Sequence, residues 1–175
     1  MTIALHPTPA LFAPPVLGEP AREQAFTALV EAAAVRLRAE TRTWAEGLRQ
    51  DAVESAPRIG WWRLVWNGLR VPVHAMFYQH ARRRLDLCVA GLARDTALLY
   101  GAEVDALQAE GARAIRPAAR PVTLDLWLRR GWWEGEVPWR RRLEATLLAR
   151  LDEVREREII DALLVAAERL RAAVR

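Results

Sequence analysis

A chain of 175 residues is the size of one domain, or one domain with an arm, and can bury a core without disulfides or structural metal. Its single cysteine, Cys88, excludes an internal disulfide framework and fits a reducing compartment, so a cytoplasmic location is expected. All 26 basic residues are arginine, and against 22 acids they leave a net charge of +4, a better guide to partners than a pI of 10.4 inflated by the lack of lysine.

The longest apolar run, 61–78, is interrupted by Arg63, Asn67, Arg70 and His74, so no transmembrane helix is expected. The N-terminus lacks a basic region and an unbroken apolar stretch, so it does not read as a signal peptide. Charge is unevenly spread. Residues 58–84 hold six arginines and no acid, and residues 126–142 hold five arginines against Glu134 and Glu136. Every other stretch is slightly acidic. Within those segments two short runs, "GWWRLVW" from Gly60 and "GWWEGEVPW" from Gly131, hold six of the eight tryptophans.

Residues 1–20 contain five prolines and read as an extended arm. Its apolar residues, among them Leu11, Phe12 and Val16, suit contact with the protein's own surface or a partner. Residues 21–175 read as a single helical-bundle domain. The first helix spans 21–55: Phe26, Val30, Ala33, Leu37, Thr41, Trp44, Leu48 and Ala52 recur at spacings of three and four, and Pro57 and Gly60 end it. Trp44 is assigned to the core.

Residues 61–70 form a short amphipathic segment. Arg63, Asn67, Arg70 and His74 share one face, with Trp62, Val65, Trp66, Leu69 and Val73 on another. Pro72 restarts the helix. The stripe of Phe77, Ala81, Leu85, Cys88, Leu92, Thr96 and Leu99 carries it toward residue 115, with Gly101 or Gly111 as a break. "RPAARP", 116–121, is a linker. "VTLDLWL", 122–128, alternates as a strand would, but a lone strand has nothing to pair with, so a short helix capped by Thr123 is expected. The last helix, 138–174, opens on Pro138 and buries Leu143, Leu147, Leu151, Val154, Leu163, Ala167, Leu170 and Val174.

The fold class is therefore all-α: a bundle of three long helices plus two or three short ones, with an extended N-terminal arm. Antiparallel packing through short turns puts both tryptophan segments at one end.

Catalytic patterns are missing. His74 and His80 lie on different sides of a helix, no Glu-x-x-His pair exists, and His80 and Cys88 are two turns apart. No P-loop, dinucleotide fingerprint or nucleophile elbow occurs. No enzyme, metal or cofactor is expected. Glu134 and Glu136 read as balancing the neighbouring arginines.

The expectation is a non-enzymatic binding subunit for an anionic partner. Arg63, Arg70, Arg82, Arg84, Arg130 and Arg140 would hold anionic groups, and Trp62, Trp66, Trp133 and Trp139 would stack or insert. A nucleic-acid backbone, bound without sequence readout inside a larger complex, is the first candidate partner. A protein scaffold or adaptor role within an oligomer and attachment to an anionic membrane surface are the alternatives. Against all three stands the possibility that the tryptophans merely plug the bundle.

Overall fold

A computed structural model describes residues 18–116 and 125–175. The arm lies outside the described residues except for Gly18, Glu19 and Pro20, and the last two open the first helix rather than extend the arm. The linker and the Thr123 cap also lie outside, apart from Arg116.

The fold is all-α with one small strand pair. Helix α1 (Glu19–Ser55) is alanine-rich, takes Pro20 in its first turn and is followed by a single 3-10 turn, Ala56–Arg58, at Pro57. Its buried face is Phe26, Ala34, Leu37, Thr41, Ala45, Leu48 and Ala52. The stripe read from the sequence is recovered, with a one-residue drift at Ala34 and Ala45. The Thr41 hydroxyl lies in the core and donates to Leu37 O at 2.7 Å, so no polar atom is stranded there. Trp44 is corrected: it is 38% exposed at the shoulder of the stripe, its ring 4.0 Å from that of His80.

Helix α2 (Trp61–Trp66) ends at Gly68, whose φ of +70° only glycine adopts without strain. Strand β1 (Leu69–Val71) follows. After Pro72 a π-helical turn, His74–Tyr78, feeds α3 (Gln79–Tyr100). Gly101, at φ +69°, stops α3, and the N–H of Ala102 bonds back to Ala97 O at 2.9 Å. Of the two candidate breakpoints Gly101 is the real one, and Gly111 lies inside α4 (Val104–Ala114).

The expected helix over 122–128 is also corrected. Of that segment, Leu126–Leu128 forms strand β2, antiparallel to β1 with Leu69 opposite Leu128, Arg70 opposite Trp127 and Val71 opposite Leu126. A partner does exist. It lies in the stretch that helical periodicity claimed for the α2 segment, where Gly68 ends the helix before Leu69.

The C-terminal rod comprises α5 (Glu136–Glu153), a π-helical stretch at Val154–Ile160, and α6 (Asp161–Ala173). The π stretch has a clear purpose. Val154 and Leu163 are nine residues apart, two and a half turns of an α-helix, so a straight α-helix would put them on opposite sides. Wider winding brings both, with Ile159 and Ile160, into one core.

The rod runs antiparallel to α1, and ion pairs mark the register. Glu23 meets Arg171, Arg38 meets Glu156 and Arg49 meets Glu144. Fifteen residues from Glu23 to Arg38 match fifteen back from Arg171 to Glu156. Helices α3 and α4 pack against this pair. Gly111 allows their close approach, since a Cβ there would sit 2.8 Å from Val89 Cγ1.

Gly111→Ala is expected to destabilise the fold by roughly 1–3 kcal/mol through overpacking, lowering the melting temperature by several degrees. Thermal melts of G111A, V89A and the double variant check this. The double variant should lose less than the sum of the two.

Candidate functional site

Strand pairing brings the two tryptophan segments together. The ladder continues through Arg130 N–H, which donates to Leu64 O at 3.2 Å. Leu69, Val71 and Leu128 face the core, while Arg70 and Trp127 stand side by side on the solvent face. The indole of Trp127 lies over Gly68, where any side chain would collide with it. Glycine is thus required there twice, for backbone angle and for space.

The result is an aromatic surface at one end of the bundle. Trp62 is 65% exposed, Trp66 70%, Trp127 61%, Trp132 70% and Trp133 77%. Trp61 is half-buried and meets Trp62 edge-on, with ring centroids 4.3 Å apart, and Trp132 and Trp133 meet edge-on at 5.4 Å. An indole buries about 150–250 Å² when covered, so five at this exposure hold several hundred Å² of apolar surface in water. At about 25 cal/mol per Å², that disfavours the free state by roughly 2–4 kcal/mol for each indole.

Trp139 is corrected. It is 1% exposed and belongs to the core, because it stands one turn before Leu143, Leu147 and Leu151 on the same stripe. It cannot stack on a ligand. Trp127 and Trp132 were missed. The signal for Trp127 was present, as the odd position in the alternation of "LDLWL".

The six candidate arginines divide. Arg70 donates to Asp125 at 2.5 Å, Arg140 pairs with Glu136 at 2.7 Å, and Arg130 Nε donates to Glu134 O at 3.0 Å. Arg82 pairs with Asp86 at 3.4 Å, and Arg84 reaches Glu40 of α1 at 3.8 Å. Those last two look along α3 and toward α1, not into the aromatic end. Arg63 is exposed and has no ion pair among the described residues, and the same holds for Arg58, Arg129 and Arg141. Pairs this exposed contribute little to stability, but they do balance the local charge.

The loop bearing Trp132 and Trp133 is clamped. The Glu134 carboxylate accepts Arg142 Nε at 3.0 Å, Arg142 Nη2 at 2.6 Å and the Gly131 N–H at 3.0 Å. Arg142 also donates to Arg129 O at 2.8 Å. The expected role of Glu134 and Glu136 as charge partners of nearby arginines matches these contacts. The Arg142 guanidinium, with help from the Gly131 N–H and against the opposing effect of burial, holds the Glu134 carboxyl below its usual range.

Other features are weaker. A groove of about 190 Å³ between α1 and α3 is flanked by Arg36, Glu40 and Cys88. Burial pushes the Cys88 thiol up, and its sulfur donates to Ala33 O, so it serves as a packed edge residue rather than a nucleophile. No cluster of three or more metal-ligating side chains occurs among the described residues. No family model, curated protein or solved structure matches the chain.

A depressed carboxyl stabilises the fold above its unfolded value, about 4.3 for glutamate, and that stabilisation is lost as pH falls through the lower folded value. Glu134→Gln is expected to lose roughly 1 kcal/mol at neutral pH and to be less sensitive than the wild type to acidification below about pH 4. Urea melts across that range check both.

Proposed function

We propose that this protein is a binding module that captures an anionic partner at the tryptophan end of its bundle. The observation that carries this reading is the set of five indoles, each more than 60% exposed, on two segments that strand pairing joins. The strand register, the Arg130–Leu64 bond and the Glu134 clamp all support a prebuilt contact face, because they order side chains that the core does not need. Exposed arginines without carboxylate partners supply the positive charge.

Of the residues read from the sequence, Arg63, Arg70, Arg130, Trp62, Trp66 and Trp133 belong to this face, joined by Trp127 and Trp132. Arg140 stands beside it on α5, and Arg82 and Arg84 do not contribute. The role is one of binding, with no reaction assigned. The unpaired Cys88 supports a cytoplasmic setting.

Intrinsic fluorescence tests the reading. Either single-stranded oligonucleotide or anionic lipid vesicles should change the tryptophan emission of the wild type at low salt. The triple variant W66A/W132A/W133A should lose roughly ten-fold or more in affinity with its melting temperature preserved. Trp139→Ala, by contrast, should cost roughly 3–5 kcal/mol of stability. A wild type that responds to neither probe overturns the reading.

A further inference from the structure

Resting on the reading of that end as an anion-seeking contact face, we propose that its partner is an anionic phospholipid bilayer, with Trp62, Trp66, Trp127, Trp132 and Trp133 seated among the headgroups.

The side-chain chemistry favours lipid. An indole has an apolar body and one polar N–H, and its preferred level is the boundary between headgroup and acyl chain. Val137, 61% exposed at the start of α5, adds apolar surface without adding charge. The charges around the indoles are arranged to match. Each carboxylate of residues 125–142 already has an arginine: Asp125 has Arg70, Glu134 has Arg142 and Glu136 has Arg140. Asp125 and Glu134 are also largely covered, their side chains 18% and 17% exposed. Glu136 is about half exposed, 53%, but is neutralised by Arg140, so no carboxylate in these segments stands without a cation beside it. Arg58, Arg63, Arg129 and Arg141 remain exposed with no ion pair among the described residues, and arginine stems lie along apolar surface while the guanidinium reaches phosphate.

The same geometry suits nucleic acid less well. Successive bases stack on open faces lying roughly parallel. Here the paired indoles are steeply inclined, by 68° between Trp61 and Trp62 and by 86° between Trp132 and Trp133. On α3, Arg82 and Arg84 already pair with carboxylates, and the Arg82 side chain is only 20% exposed.

The attachment would be shallow. No described helix is long and apolar enough to cross a membrane. Helix α2 has six residues and the strands three each, so what enters the bilayer is a set of side chains, with the bundle standing above.

The experiment uses the full chain with phosphatidylcholine vesicles, pure or mixed with phosphatidylglycerol. Anionic vesicles should blue-shift the emission and carry the protein into the pellet. Lipids brominated near the headgroup should quench more strongly than lipids brominated deep in the chain. W132A/W133A should weaken binding by roughly ten-fold, and R63E/R129E should weaken it and reduce its dependence on phosphatidylglycerol. Both pairs are exposed, and circular dichroism verifies their fold. Moderate salt should loosen the complex without abolishing it, since insertion is not screened.

If vesicles leave the emission and pellet unchanged while single-stranded oligonucleotide quenches it in a salt-reversible way, the bilayer is the wrong partner and the anion-binding reading survives. If neither probe acts, both fail. Self-association lost in W132A/W133A, with no response to either probe, would make this end a contact between copies of the chain and overturn both.

Discussion

The antiparallel register between α1 and the C-terminal rod governs the rest of the molecule. Both elements are unusually long, and their contact is fixed at several points by Glu23–Arg171, Arg38–Glu156 and Arg49–Glu144. These exposed or half-exposed pairs add little stability individually. The energy comes from the apolar stripes between them, and the pairs specify which residues face each other. That register brings the C-terminus of α1 and the N-terminus of α5 to the same end. The chain leaving one and the chain entering the other then lie side by side, close enough for a three-residue ladder. Two strands alone would be marginal in water, and they persist here because Leu69, Val71 and Leu128 extend the core of the bundle.

The π-helical stretch of the rod belongs to the same logic. The rod must keep one apolar face on the bundle over its whole length, yet its apolar residues fall out of α-helical phase between Val154 and Leu163. A local change of winding restores the phase. Glycine does similar work elsewhere: Gly101 turns α3 back into α4, and Gly111 lets those helices touch. At the tryptophan end, Gly68 takes the left-handed conformation that ends α2 and leaves room for Trp127. The carboxylates of residues 125–142 are drawn into arginine pairs, which orders the loop and removes negative charge from the face. Apolar rings are left in water where buried ones would have stabilised the fold. That opposition between stability and exposure is the feature on which the proposed contact face rests.

Much of this was legible in the residues themselves. Helical periodicity located α1, α3 and the rod, together with most of their buried positions but not Val89, Ala93, Ala97, Ile159, Ile160 or Ala166, because the pattern of three and four is imposed by the geometry of a single helix. Proline and glycine marked the ends. The concentration of tryptophan and arginine in two segments marked stretches that strand pairing brings together. Trp139 could have been assigned to the core, since it continues the Leu143 stripe by one turn.

Other features depended on tertiary structure. "LDLWL" is compatible with helix or strand, and only the arrival of Leu69–Val71 beside it decides the matter. Pairing is a property of two distant segments, so neither one reveals it alone. Trp44 shows the same limit in a helix: its spacing suits the stripe, but how far the neighbouring helix reaches decides whether the shoulder is covered. Which arginines are free could not be read either, because Arg70 and Arg84 find their carboxylates 55 and 44 positions away in the chain, at Asp125 and Glu40. The sequence alone determined which segments are helical, which faces are apolar and where aromatic and basic residues concentrate, since each follows from local spacing and composition. Tertiary structure alone decided which tryptophans stay in water and which charges remain uncompensated, since both depend on neighbours brought in from elsewhere in the chain.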